Sequence, residues 1–208
     1  MGHRISAFVA ALILSLGLAV APVAADPIHD AAKAGDVAEV KALLASGVKV
    51  DARNKYGHTP LHWAKTSEMA NVLLKAGAKV DARDKYGQTP LHIAWTADKA
   101  KALLKVDART EARDRLGQTP LHIAKTAAIV AVLLKIGANI EARDLGGKTP
   151  LHVATILGRT DVIKALLAEG ADGKAKDNRG KNPFDIAMYY GHITNTEAYQ
   201  LLNDAQYD

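Results

Sequence analysis

Thr59-Pro-Leu-His62 recurs as Thr89-Pro-Leu-His92, Thr119-Pro-Leu-His122 and Thr149-Pro-Leu-His152, each copy 30 residues after the one before. Outward from these, a weaker copy at Asp26-Pro-Ile-His29 stands 33 residues ahead of the first. Another, Asn182-Pro-Phe-Asp185, stands 33 residues beyond the last. Six of the seven prolines share this register, so proline here marks a place in a repeat rather than scattered turns. A period of ~20–50 residues signals a solenoid, in which each unit buries its apolar face only against its neighbours.

Each unit reads as helix, helix, finger. The Thr suits a helix N-cap, its hydroxyl accepting from an otherwise unpaired amide. Pro at the first helical position loses no hydrogen bond and already has a helical φ. A short helix begins there with apolar residues, as in Leu61, Trp63 and Ala64. A second helix carries paired leucines: Leu43-Leu44, Leu73-Leu74, Leu103-Leu104, Leu133-Leu134 and Leu166-Leu167. It stops at Gly47, Gly77, Gly137 and Gly170, where a left-handed residue is needed. The next segment, as in Val80-Asp-Ala-Arg-Asp-Lys-Tyr-Gly87, alternates and turns, which predicts an extended hairpin-like finger.

The pattern D-x-x-G-x-T-P-L-H-x-A…L-L-x-x-G-A resembles the ankyrin repeat. The resemblance implies an all-α ankyrin repeat solenoid with β-hairpin-like fingers and about six units, counting both caps. It spans residues 26–208, divided into an N-cap repeat at 26–54, internal repeats at 55–84, 85–114, 115–144 and 145–177, and a C-cap repeat at 178–208. The middle units are shorter than the 33-residue unit, and alignment of Ala154–Leu167 with Ala64–Leu74 puts the loss between the two helices. Thr66, Thr96 and Thr126 stand there and are expected to N-cap the second helices. Asp107 replaces the expected Gly; Asp accepts the left-handed conformation less readily, which marks the third unit as the softest.

Residues 1–25 differ from the rest. Arg4 precedes a run without charge from Ile5 to Ala25, and Val23-Ala24-Ala25 supplies the small residues of a cleavage site. This is the layout of a secretory signal peptide, with cleavage expected after Ala25 and a periplasmic or secreted mature protein. An uncleaved anchor is the alternative, since so long an apolar run could just span a bilayer. The leader and the terse units are similar to those of exported bacterial ankyrin proteins. Without cysteine, disulfides, thiolate metal sites and cysteine nucleophiles are excluded. The net charge of +5 mixes both signs along the chain, a poor match for nucleic acid.

Five histidines (His29, His62, His92, His122 and His152) fall on the register, which invites a metal reading. The ankyrin resemblance implies instead that Thr59, Thr89, Thr119, Thr149 and the histidines that follow them are structural, each His bonding to a neighbouring loop. His58 and His192 read as isolated surface residues. Beyond residue 25 the serines are Ser46 and Ser67, neither in a nucleophile-elbow context, and no H-E-x-x-H or phosphate-cradling loop occurs. The fingers carry two ladders: Asp51, Asp81, Glu111 and Glu141, and two residues on Arg53, Arg83, Arg113 and Arg143, with Lys176 in phase. Residues two apart share a face of an extended strand, so acid and base are expected to pair across stacked fingers, or the arginines to meet an acidic partner. Finger tips carry Tyr56, Tyr86 and Leu116, then Gly146, while Lys65, Trp95 and Lys125 are equivalent on the first helices. The resemblance implies that tips and first helices form the binding face, with Trp95 as its anchor.

These features predict a non-enzymatic, monomeric scaffold without cofactor or metal that binds, and stabilises or regulates, another protein in the periplasm. Nucleic acid is not expected as a partner, nor a membrane once the leader is removed. The alternatives are an exported effector aimed at a host protein and, from a different class, a metal-dependent hydrolase built on the histidine row.

Overall fold

The structure, a computed structural model, describes residues 26–191 and 193–207; the leader reading and His192 lie outside them. The described residues form short helices and turns with no strand. In chain order the helices are α1 (Pro27–Ala34), α2 (Val37–Ala45), α3 (Pro60–Trp63), α4 (Ser67–Lys75) and α5 (Ala97–Leu104). They continue with α6 (Ala127–Lys135), α7 (Pro150–Ile156), α8 (Thr160–Ala168), α9 (Pro183–Tyr190) and α10 (Glu197–Ala205). First helices stack on first helices, α1 on α3 and α7 on α9. Second helices form a continuous column from α2 through α4, α5, α6 and α8 to α10. None of these helices is long and apolar enough to cross a membrane.

Leucine columns make the core. Leu61, Leu91, Leu121 and Leu151 of the first helical turns, and Leu73, Leu103, Leu133 and Leu166 of the second helices, are all essentially inaccessible. Each such burial contributes roughly 1.5–3 kcal/mol. No unit has a core of its own, because every column is completed by the next.

The short units change the first helix. In the third and fourth units, Pro90–Ile93 and Pro120–Ile123 make a single turn rather than a helix. Ile93 N–H reaches Thr89 O at a long 3.4 Å, and Ala94 N–H falls back on Leu91 O at 3.2 Å. The 33-residue unit has room to continue: α7 runs to Ile156, with Leu157 N–H on Val153 O at 3.0 Å. In the short units the chain passes directly to Thr66, Thr96 and Thr126, whose hydroxyls accept from Met69, Lys99 and Ile129 N–H and cap α4, α5 and α6. Asp107 sits at φ +60°, taking the left-handed position that Gly77 and Gly137 fill in adjacent units.

The fingers are stacked turns, not a sheet. Asn54, Asp84, Asp114, Asp144 and Asp177 each accept from the N–H groups two and four residues on. One backbone bond joins each finger to the next: Lys85 N–H to Tyr56 O, Arg115 to Tyr86, Leu145 to Leu116 and Asn178 to Gly146, at 2.9–3.0 Å. Gly57 shows why glycine stands at these turns. Its φ is +79°, and a Cβ there would lie 3.0 Å from Lys85 N in the next finger.

Candidate partner-binding surface

The repeated motif forms a clip between units. Thr59 N–H donates to His62 Nδ1 at 3.0 Å, and the Thr hydroxyl lies 2.9 Å from the same nitrogen. An amide is always a donor, so Nδ1 must accept and the ring proton sits on Nε2. Nε2 then donates to Gln88 O of the next finger at 3.2 Å. The arrangement repeats from His92 to Gln118 O, from His122 to Lys148 O and from His152 to Lys181 O, at 3.0–3.1 Å. Thr89, Thr119 and Thr149 hold their rings as Thr59 does. The histidine at the third helical position thus does the work of the Glu in a capping box, and the threonine serves the ring as well as the helix. Burial drives the His62 ring far below its usual pKa, to about 3, and lowers those of His92, His122 and His152 for the same reason. With both nitrogens engaged, these rings are hydrogen-bonding struts. Among the described residues no group of His, Asp and Glu is placed to hold a metal ion.

The charged ladders also turn inward on the frame, which corrects the expected pairing of acid with arginine. Arg53 Nη1 donates to Gly57 O of its own finger at 2.9 Å and to Arg83 O of the next at 2.6 Å. Arg83, Arg113 and Arg143 do the same, ending on Arg113 O, Arg143 O and Lys176 O. The acids accept backbone N–H groups one unit on: Asp51 from Lys79, Asp81 from Arg109, Glu111 from Asn139 and Glu141 from Asp172. Carbonyls and amides at the finger bases would otherwise lack partners, and a charged side chain bonds them more strongly than a neutral one. Among the described residues, Asp81 is the ladder acid that meets a cation, Arg109 at 3.6 Å.

His58 is likewise not the isolated surface residue its sequence context suggests. It is half-buried, and its Nε2 lies 3.0 Å from a carboxylate oxygen of Asp84, whose side chain is inaccessible. His29 Nε2 donates to His58 O at 2.8 Å, the amino-terminal version of the clip.

The side chains expected to form the binding face lie on the tips and first turns. Tyr56, Tyr86 and Leu116 are exposed at successive tips. On the first turns Lys65 is exposed, Trp95 is 51% exposed and Lys125 is half-buried. Lys125 Nζ stands 3.1 Å from the centre of the Trp95 ring. Such a cation–π contact stabilises by ~0.5–1 kcal/mol at exposed sites and holds one face of the indole while the rest stays open. Trp63, one step off this position, is half-buried and packs on the core.

Two cations beneath this face were not apparent from the sequence. Lys99 is completely buried, and its Nζ donates to His62 O at 2.8 Å. Burial, then the nearby Lys125 charge, pushes it down to about 7. Arg159 reaches from the fifth unit to Ile123 O and Ala124 O, both at 2.8 Å. Both cap carbonyls at the ends of truncated first turns, where the local dipole favours positive charge. The available signal was that Lys99 shares a core column with Met69 and Ile129 of its neighbouring units.

Comparison with known proteins gives the same account of the chain. The family model for ankyrin repeats matches four overlapping stretches, residues 11–84, 28–113, 65–144 and 125–207. No curated protein matched the chain. Proteins built from these repeats are in general modules for binding other proteins. With its clipped and stacked helical units matched along nearly their whole length, the chain belongs to the ankyrin repeat family.

Proposed function

We propose that this protein is an exported, non-enzymatic scaffold that binds a partner protein in the periplasm through the face made by its finger tips and first helical turns. The observation that carries the reading is the contrast between positions that repeat and positions that differ. The repeating His, Arg and acidic side chains each bond to a neighbouring unit and the Thr side chains hold the His rings, although the arginines stay exposed, whereas Trp95 breaks a lysine register and half of it remains in water. An exposed indole supported by a neighbouring cation has the character of an interface anchor, a role in which Trp and Arg are enriched. A stacked, cross-bonded frame presents it with little ordering entropy left to lose. The run from Ile5 to the Val23-Ala24-Ala25 site supports export. In this reading Arg53, Arg83, Arg113 and Arg143 shape the fingers rather than contact the partner.

A photo-crosslinking residue in place of the exposed Tyr86 at the tip of the same unit, with Trp95 kept and the protein expressed in the native compartment, is expected to trap a defined protein, and the same residue at Glu169 to trap none. The same pattern of products from both positions would contradict the proposal.

A further inference from the structure

The frame's register also changes in charge toward the carboxyl-terminal end. The residue before the Thr-Pro or Asn-Pro step is His58, Gln88 and Gln118 in the earlier units, but Lys148 and Lys181 in the last two. Their carbonyls are fixed by His122 and His152, each at 3.0 Å, so both lysine stems start from clamped backbone. Together with Arg179 at the last tip they border a recess of about 360 Å³ between α7 and α9, floored by Ile156 and flanked by Tyr189 and Tyr190. Two other features set this end of the array apart. Gly146 lacks the bulky side chain that Tyr86 and Leu116 bear at equivalent tips, and Lys148 Nζ lies 2.6 Å from where its Cβ would be. The full-length α7 then extends far enough to supply Ile156.

Two acids, Asp177 and Asp185, share the wall with these three cations, and Asp177 interacts electrostatically with Lys148, so the lining carries one net positive charge. Asp177 accepts the N–H groups of Arg179 and Lys181 at 2.8 and 3.0 Å, and Asp185 accepts that of Asn182 at 3.1 Å. Both carboxylates are thereby held to the backbone. Among the described residues, Lys148, Arg179 and Lys181 form no ion pair. Tyr189, 84% exposed, adds an amphipathic ring beside the apolar floor.

We infer that this recess binds an acidic segment of polypeptide, taking its carboxylates on Lys148, Arg179 and Lys181 and an aliphatic side chain between Ile156 and the tyrosines. The site deepens the scaffold reading but does not require Trp95, so the two can fail separately. The occupant is a peptide rather than a lipid surface because an anionic bilayer presents charge without a side chain for the apolar floor.

Fluorescence anisotropy of the purified protein with a short fluorescein-labelled peptide of alternating Glu and Leu tests this. The acidic peptide should bind, and more weakly at high salt. Its counterpart with Gln for every Glu should bind about tenfold less tightly or worse, as should the Arg179→Glu/Lys181→Glu double variant toward the acidic peptide. Tyr189→Ala should weaken binding several-fold, and Trp95→Ala should leave it unchanged. Circular dichroism melting of each variant establishes that the fold is kept, and Arg179→Gln/Lys181→Gln serves if charge reversal unfolds the end of the array. No binding of the acidic peptide would overturn the inference. So would equal binding of the Gln peptide, indifference to both double variants, or Lys181-dependent capture of phosphatidylglycerol vesicles in place of the peptide.

Discussion

The histidine rings set a pH dependence that can be derived with its sign. Their folded pKa values lie below the free value near 6.5, so the folded state holds them neutral. Their contribution to stability is complete above that value and is lost as pH falls below it. The melting midpoint should therefore drop steeply between about pH 6.5 and 4, and His62→Gln should flatten part of that drop. An unchanged midpoint across the interval would refute the clip. Lys99 follows the same sign for the same physical reason, in a higher pH window. Its folded pKa of about 7 lies below its free value of 10.5, so the neutral amine is favoured by folding. Its cost is full below pH 7 and fades as pH rises toward 10.5. Lys99→Met, matching Met69 in the preceding unit, should stabilise the protein at pH 7 by ~2–3 kcal/mol, after the loss of a partner for His62 O. Denaturant titrations should show that gain shrinking at alkaline pH, and a destabilised variant would mean that the buried ammonium earns its place structurally. Lys99 was legible in principle as a charge in an apolar column. It was missed because a lysine is ordinarily solvated and the loss of three residues, which sends its Nζ onto a bare carbonyl, has no residue of its own to read.

At the scale of the element, the 30-residue unit trades helix for caps. Thr66, Thr96 and Thr126 each hold one amide of a second helix, and replacing any one by Ala should destabilise by ~0.5–2 kcal/mol. In the full-length unit Thr160 should tolerate the same change better, because α8 begins without a side-chain cap. Equal losses at all four positions, read from the melting midpoint, would sink this distinction. The caps were legible because Thr at a fixed offset before an apolar helix has a local cause. The reduction of the first helix to a turn at Pro90–Ile93 and Pro120–Ile123 was less so, since residue identity there is nearly that of α7. The arginine ladder was legible as a ladder but not as a set of struts. Its partners are backbone carbonyls one unit away, and a carbonyl leaves no mark in the sequence.

Across the whole molecule, stability is the sum of units and the contacts between them, so a weak unit is a weak link. The third unit has two independent defects, a non-glycine residue at φ +60° and a lysine in its core. Amide hydrogen exchange should be fastest, among the internal units, within residues 85–114, and Asp107→Gly should slow it while raising stability by up to ~1 kcal/mol. Exchange slower there than in the adjacent units would contradict the assignment. That softness lies beneath Trp95, on the unit proposed to anchor the partner. The frame was readable from periodicity because every copy obeys it; the binding face was readable only where copies disagree, as at Trp95, Lys148 and Gly146. The central claim is that repetition marks the frame and divergence marks the site. It is tested most directly by comparing His92→Ala with Trp95→Ala, three residues apart, for melting midpoint and for capture of the crosslinked partner under conditions where both are folded. The account predicts that His92→Ala lowers the midpoint and keeps the partner, while Trp95→Ala lowers the midpoint far less and loses the partner. The reverse pattern, or parallel losses in both variants, would contradict it.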